Sequence, residues 1–205
     1  MPAEEQKTEL IQKLNITGID FGSRYAGTTV ICSFFNQSFH LAQSNKKEDA
    51  DAFLLSNDLL VNEAPIYIDA PLSLPGVYSG NKDNDDYFYR EGDRALGAMS
   101  PMFIGGLTAR AMRLKKLLVQ KGHVVYETYP AGLAQTLQLK THYKSDIKNF
   151  LHSLGKQFQL LPELSTLECK NWHQVDALLA CLSGVRHQLD NAKTFGHSTE
   201  GLIII

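Results

Sequence analysis

Ile16-Thr17-Gly18-Ile19-Asp20-Phe21-Gly22-Ser23-Arg24-Tyr25-Ala26-Gly27 is a short alternating apolar run that ends in a carboxylate and meets two glycines. A second apolar run, Thr28 to Phe35, follows, so the stretch reads as a hairpin with Asp20 at its mouth. Ending a buried strand in an unpaired Asp costs on the order of several kcal/mol, so such a residue meets a cation, a ring of donors or solvent in a cleft. A plain turn-forming Asp is the alternative. Three later segments with a carboxylate at a comparable place favour the cleft.

Reading on from the hairpin, Ser38 to Gln43 completes an antiparallel meander of three strands. Ser44 or Asn45 then caps a helix whose Ala50, Phe53, Leu54, Asn57, Leu60 and Val61 fall near a 3.6 repeat. This helix crosses over to Pro65-Ile66-Tyr67-Ile68-Asp69-Ala70-Pro71, a strand stopped by proline. A parallel neighbour brings Asp69 beside Asp20, at the strand end where ligands bind in open α/β sheets.

An irregular insertion of about 72–121 follows, and its loop, including Tyr78 to Tyr89, reads as a mobile lid. Within it, Arg90 and Arg94 either face a phosphate or form a local network with Glu91 and Asp93. A helix from Leu107 to Gln120 carries Arg110, Arg113 and Lys116 along one side and closes on Gly122. His123 to Pro130 repeats the strand, carboxylate and proline pattern, with Glu127 as its acid and His123 as a strand-start residue.

The C-terminal part is helical. Ile147, Phe150, Leu151, Leu154 and Phe158 mark a core stripe capped by Ser145-Asp146 and stopped before Pro162. The last long helix, about Asn171 to Leu189, turns Trp172, Val175, Leu178, Leu179 and Leu182 inward. Asp176 lies beside small residues on it, too far along for a capping role; a surface Asp is the alternative. Glu200 to Ile205 adds an apolar strand to a sheet edge.

With 205 residues, 43% of them hydrophobic, the chain suits one filled core: a tail over residues 1–13 and one domain over 14–205. A formal charge of -2 leaves any nucleic-acid partner to a local patch and metal ions. Residues 1–13 lack a charged-then-apolar leader and no apolar run approaches about 20 residues, so a cytoplasmic protein without a membrane partner is expected. Cys32, Cys169 and Cys181 read as reduced thiols, and Cys169 with His173 alone makes a poor zinc pair.

This order of elements is that of a ribonuclease H-like α/β fold: a mixed five-stranded sheet flanked by helices, with an insertion after the fourth strand. Gly18-Ile19-Asp20, Ile68-Asp69-Ala70-Pro71, Asp93-Arg94, Glu127-Thr128-Tyr129-Pro130, Val175-Asp176-Ala177-Leu178-Leu179-Ala180 and Glu200-Gly201 together resemble the family called domain of unknown function 429. The likeness runs from Asn15 onward. It implies a nuclease of ribonuclease H-like fold acting on DNA or RNA with Mg²⁺ or Mn²⁺. Hard oxygen ligands suit those ions. The resemblance puts Asp20, Asp69 and Asp176 at the metals and Glu127 as a further ligand or base, with Arg90, Arg94, Arg110 and Arg113 for the substrate. The family pattern often carries a His between the Glu and the Pro, where this chain has Thr128-Tyr129.

Asp20 to Gly27 is also similar to the first phosphate loop of the sugar kinase, actin and chaperone ATPase superfamily. One domain of that kind implies a homodimer with a shared nucleotide site. A non-catalytic scaffold that binds nucleic acid or protein is the third reading.

Overall fold

The computed structural model describes residues 2–60, 64–80, 84–161, 164 and 166–205, with side chains from residue 7 onward. Its strands are β1 (Ile16–Asp20), β2 (Val30–Phe35), β3 (Ser38–Gln43), β4 (Ile66–Asp69), β5 (Val125–Thr128), β6 (Thr194–Phe195) and β7 (Ile203–Ile204). They form one mixed sheet in the order β3-β2-β1-β4-β5-β7-β6. The meander β1-β2-β3 is antiparallel, whereas β1, β4, β5 and β7 run parallel.

The helices are α1 (Pro2–Gln12), α2 (Ala50–Ser56), α3 (Glu91–Leu96), α4 (Gly105–Gln120), α5 (Pro130–Thr136), α6 (Ile147–Gln157) and α7 (Trp172–Gln188). They cover both faces of the sheet, which is why β1 is buried along its whole length instead of alternating. Leu133, Phe150, Leu154 and the α7 residues Val175, Leu178 and Leu182 fill one core with Ile16 and Tyr67. Leu54, Leu114 and Leu118 fill the other with Ile19, Ile66 and Ile68. Successive residues of β1 and β4 therefore serve opposite layers.

Helix α7 lies close against β1. A Cβ on Gly18 would collide with the α7 backbone at Ala177 and Cys181, and one on Gly184 with Ile16 and Tyr67. Glycine at these two positions lets the helix that carries Asp176 approach the strand that carries Asp20.

Several elements differ from expectation. Seven strands replace five: the strand expected within residues 200–205 forms as β7, and β6 is too short to show periodicity. The terminal strand is not an edge: β7 lies between β5 and β6, paired parallel to β5 and antiparallel to β6. Helix α2 is capped by Asp49, whose carboxylate accepts the Asp51 and Ala52 N–H groups, and it ends at Ser56. Ser44 instead bonds back to Thr29, and Val61 lies outside the described residues.

Residues 81–83 of the expected lid and the expected stop Pro162 also lie outside the described residues. The remainder of the insertion is tied to buried Glu200, which accepts the Gly76 N–H at 2.7 Å, the Glu91 N–H at 2.9 Å and the Asn84 amide. Residues 2–12 are helical, and Ile11 and Leu14 pack into the α7-side core. Among the described residues no helix is long and apolar enough to cross a membrane.

Candidate functional site

Asp20 and Asp69 are register partners at the ends of the parallel strands β1 and β4. Side-chain alternation puts them level on one face of the sheet. That face is the one covered by α7, since Gly18 meets α7 and Tyr67 belongs to the α7-side core. Asp176, on the second turn of α7, is buried above them. Three sequence-predicted acids thus share a layer. Asp20 and Asp69 also line a cleft of about 290 Å³, with Tyr129, Met99 and Leu107 among its walls.

The three carboxyls are held differently. Asp20 Oδ2 is 2.8 Å from His173 Nδ1, one turn before Asp176 on α7. Asp176 accepts the Tyr143 hydroxyl at 2.6 Å on Oδ1 and the Lys144 ammonium on Oδ2. The Asp69 carboxyl has no hydrogen-bond or ion-pair partner among the described residues.

The electrostatics follow from these contacts. Burial pushes Asp20 above the usual 3.8; the His173 hydrogen bond offsets part of this, and Asp176 adds to it. Part of Asp69 reaches solvent, but its surroundings crowd the carboxyl, and burial followed by the charges of Asp20 and Asp176 drives it well above 3.8. His173 is raised from 6.5, first by its hydrogen bond to Asp20 and against partial burial. Burial and then Asp69 also raise the Tyr129 phenol at the cleft wall.

Glu127 and Asp93 line the same cleft, as expected of Glu127, but Glu127 is oriented differently from Asp69. It pairs with Ile68 in the register, one step out of phase with Asp69, so alternation sends its side chain to the opposite face. There its oxygens accept from Arg90 at 2.5 and 2.7 Å and from the Leu72 N–H at 2.8 Å. Arg90, only 1% exposed, also grips Asp93 at 2.6 and 3.0 Å and donates to Ser73. Burial, with a smaller push from Asp93, raises Glu127, and burial disfavours the Arg90 charge, but the hydrogen bonds that Arg90 donates to Glu127 and Asp93 win at the guanidinium, which is raised. The guanidinium governs the cluster because arginine does not give up its proton in proteins.

Arg90 is therefore part of the architecture and does not face a phosphate; of its two expected local partners it takes Asp93 and not Glu91. Arg94 pairs with Asp86 at 2.5 Å and lies over Tyr89. Arg110 holds Asp51 at 2.7 Å, donates to the Gly22 carbonyl and lies over Phe21. Arg113 is exposed on α4. None of the four lines the carboxylate cleft.

Sequence reasoning passed over His173 as a partner of Asp20, although its place three residues before Asp176 on one helix was a usable signal. It gave no sign of Tyr143 and Lys144, which arrive from a loop. Thr128 was also missed. It lines the cleft from β5, one step beyond Glu127, and its buried Oγ1 has no hydrogen-bond partner among the described residues. Cys169 is no zinc ligand beside His173: the imidazole faces Asp20, and burial pushes the thiol to about 12.

Among the described residues no three His, Cys, Asp or Glu side chains are grouped closely enough to hold a metal by themselves. The donor set nonetheless fits a hard divalent cation. Among the described residues the Asp69 carboxyl is partnerless at the cleft and the buried Thr128 hydroxyl in its wall is orphaned, with Asp20 alongside and Asp176 near enough to raise Asp69. No protein-family model matches the chain, and no curated protein matches it.

Proposed function

We propose that the protein is a metal-dependent nuclease of ribonuclease H-like fold, hydrolysing phosphodiester bonds of DNA or RNA at Asp20, Asp69 and Asp176 with Mg²⁺ or Mn²⁺. The observation that carries this is the Asp69 carboxyl: crowded, without a donor among the described residues, and driven up by burial and then by Asp20 and Asp176. Like charges collected at such a place oppose folding unless a cation joins them. The resemblance to the family called domain of unknown function 429 and the strand order β3-β2-β1-β4-β5 support the same reading.

Asp69 and Asp20 would hold the cation, with Asp176 completing the set. A bound divalent ion supplies an activated water and neutralises charge at the leaving oxygen. His173 orients Asp20 through Nδ1, while its Nε2 has no partner among the described residues and can hand a proton to the departing oxygen. The Thr128 hydroxyl, buried in the cleft wall and unpartnered among the described residues, is a further polar group beside the site. Arg90 holds Glu127 in its buried cluster and so fixes the floor that carries Thr128, which makes Glu127 a positioning residue instead of a ligand.

The hairpin after β1 weighs against a nucleotide-phosphate loop. The Gly22 N–H is taken by Thr29 Oγ1 and the Gly22 carbonyl by Arg110, so the loop is closed on itself. The test is cleavage of labelled single- and double-stranded DNA and RNA in Mn²⁺ by wild type and Asp69→Asn. Metal-dependent cleavage that Asp69→Asn abolishes is expected. Metal binding without cleavage of any substrate would leave a binding scaffold.

A further inference from the structure

We propose that Lys144 is the resident counter-ion of the carboxylate site, holding Asp176 in the free protein and releasing it when a divalent cation binds. The proposal rests on the assignment of Asp176 to the metal-binding set. Its basis is an unequal ion pair. The Asp176 side chain is 8% exposed and fixed on a buried helix, whereas that of Lys144 is 46% exposed and reaches in from a loop. The acceptor cannot leave; the donor can.

The loop is shaped for this contact. Lys144 has φ 63°, a left-handed conformation uncommon for lysine, and adjacent Tyr143 supplies the hydroxyl that fixes the other Asp176 oxygen. The ammonium stands 5.0 Å from the Tyr143 ring centroid and 5.6 Å from that of Trp172. Two aromatic faces and a carboxylate thus form a recess for one positive charge. The nearby His173 holds Asp20 by a hydrogen bond, so the free protein meets part of its acidic cluster with its own side chains.

A divalent ion and an ammonium repel one another and draw on the same oxygens. Entry of the ion therefore displaces Lys144 outward while its stem keeps it tethered at the cleft. There the freed ammonium meets the phosphate of an incoming substrate. Lys144 is a positioning residue with two states, one on Asp176 and one on substrate.

The test is calorimetric titration of Mn²⁺ into wild type, Lys144→Met and Tyr143→Phe. Removing the competing charge should tighten Mn²⁺ binding by about tenfold, the scale of one charge-assisted hydrogen bond. Tyr143→Phe keeps the ammonium and should change affinity less than Lys144→Met does. Lys144→Asn, which tolerates the left-handed backbone, guards against misfolding of the Met variant and should also bind more tightly. A merely structural lysine would weaken binding when lost, so equal or weaker affinity in both Lys144 variants overturns the proposal. Binding by the variants but not by wild type supports it in stronger form. Binding by none overturns both the counter-ion and the metal site, whereas equal binding by all overturns only the counter-ion.

Discussion

Two groups of acids flank one cleft, with Glu127 and Asp69 turned to opposite faces of the sheet, and they are finished in opposite ways. In one, Arg90 lies between Asp93 and Glu127, with Ser73 and the Leu72 N–H completing the set. In the other, among the described residues, Asp20, Asp69 and Asp176 meet only His173, Tyr143 and Lys144, and Asp69 has no donor. The difference is one register step along neighbouring parallel strands. A group whose charges are met from within is architecture, and a group left short of positive charge is a place for something else to bind.

The comparison breaks most severely if Arg90 is removed. Arg90→Met should cost about 3–5 kcal/mol, because Glu127 and Asp93 would then be buried without their cation. Denaturant unfolding checks this, and a cost below about 1 kcal/mol would remove the distinction between the clusters. Next in size is the effect of metal on the other face. Mn²⁺ at about 100 times its dissociation constant should stabilise wild type by about 2.7 kcal/mol, read as a rise in Tm, and should not restore Arg90→Met to wild-type stability.

The smallest effect concerns His173. Its raised pKa means that the imidazolium contact with Asp20 stabilises the fold below 6.5 and fades as pH rises through the folded-state value. Asp20 must stay ionised for this, and its own pKa lies above 3.8, so the window is mildly acidic. His173→Ala should lose at most about 1 kcal/mol there, as befits a half-exposed pair, and nothing at alkaline pH. A pH-independent loss would show that His173 acts by packing alone.

Much of this was legible in the sequence. The run from Ile16 to Gly27 and the strand ending at Asp69 carry enough periodicity and punctuation to fix the hairpin and crossover, and hence to pair Asp20 with Asp69. The depth of Asp176 within α7 marked it as more than a cap. Glu127 misled because a strand-end carboxylate declares its level but not its face, and the face depends on a register set by pairing between distant segments. For Arg90 the sequence left a phosphate contact and a local network open; the Asp93 partner, 3 residues away, was legible, but Glu127, 37 residues away, was not. Tyr143 and Lys144 lie in a loop without periodicity, so only tertiary packing could bring them to Asp176. Strand β7 showed as an apolar run, but its place between β5 and β6 did not, and β6 has two residues, too few for any pattern.

The central claim is that the Asp20–Asp69–Asp176 group is left short of positive charge, and Asp69 tests it most directly. Its raised pKa means that ionisation costs stability, a cost that grows as pH rises from 3.8 through the folded-state value and then stays constant. The decisive measurement is the Tm of wild type and Asp69→Asn in chelator and in Mn²⁺, from acid to neutral pH. In chelator at neutral pH the variant should melt higher, with each 1 kcal/mol worth about 2–4 °C, and the gap should close toward pH 4. Mn²⁺ should raise wild type and leave the variant nearly unmoved. A variant that melts below wild type in chelator, or responds to Mn²⁺ as wild type does, would make Asp69 a structural residue and contradict the account.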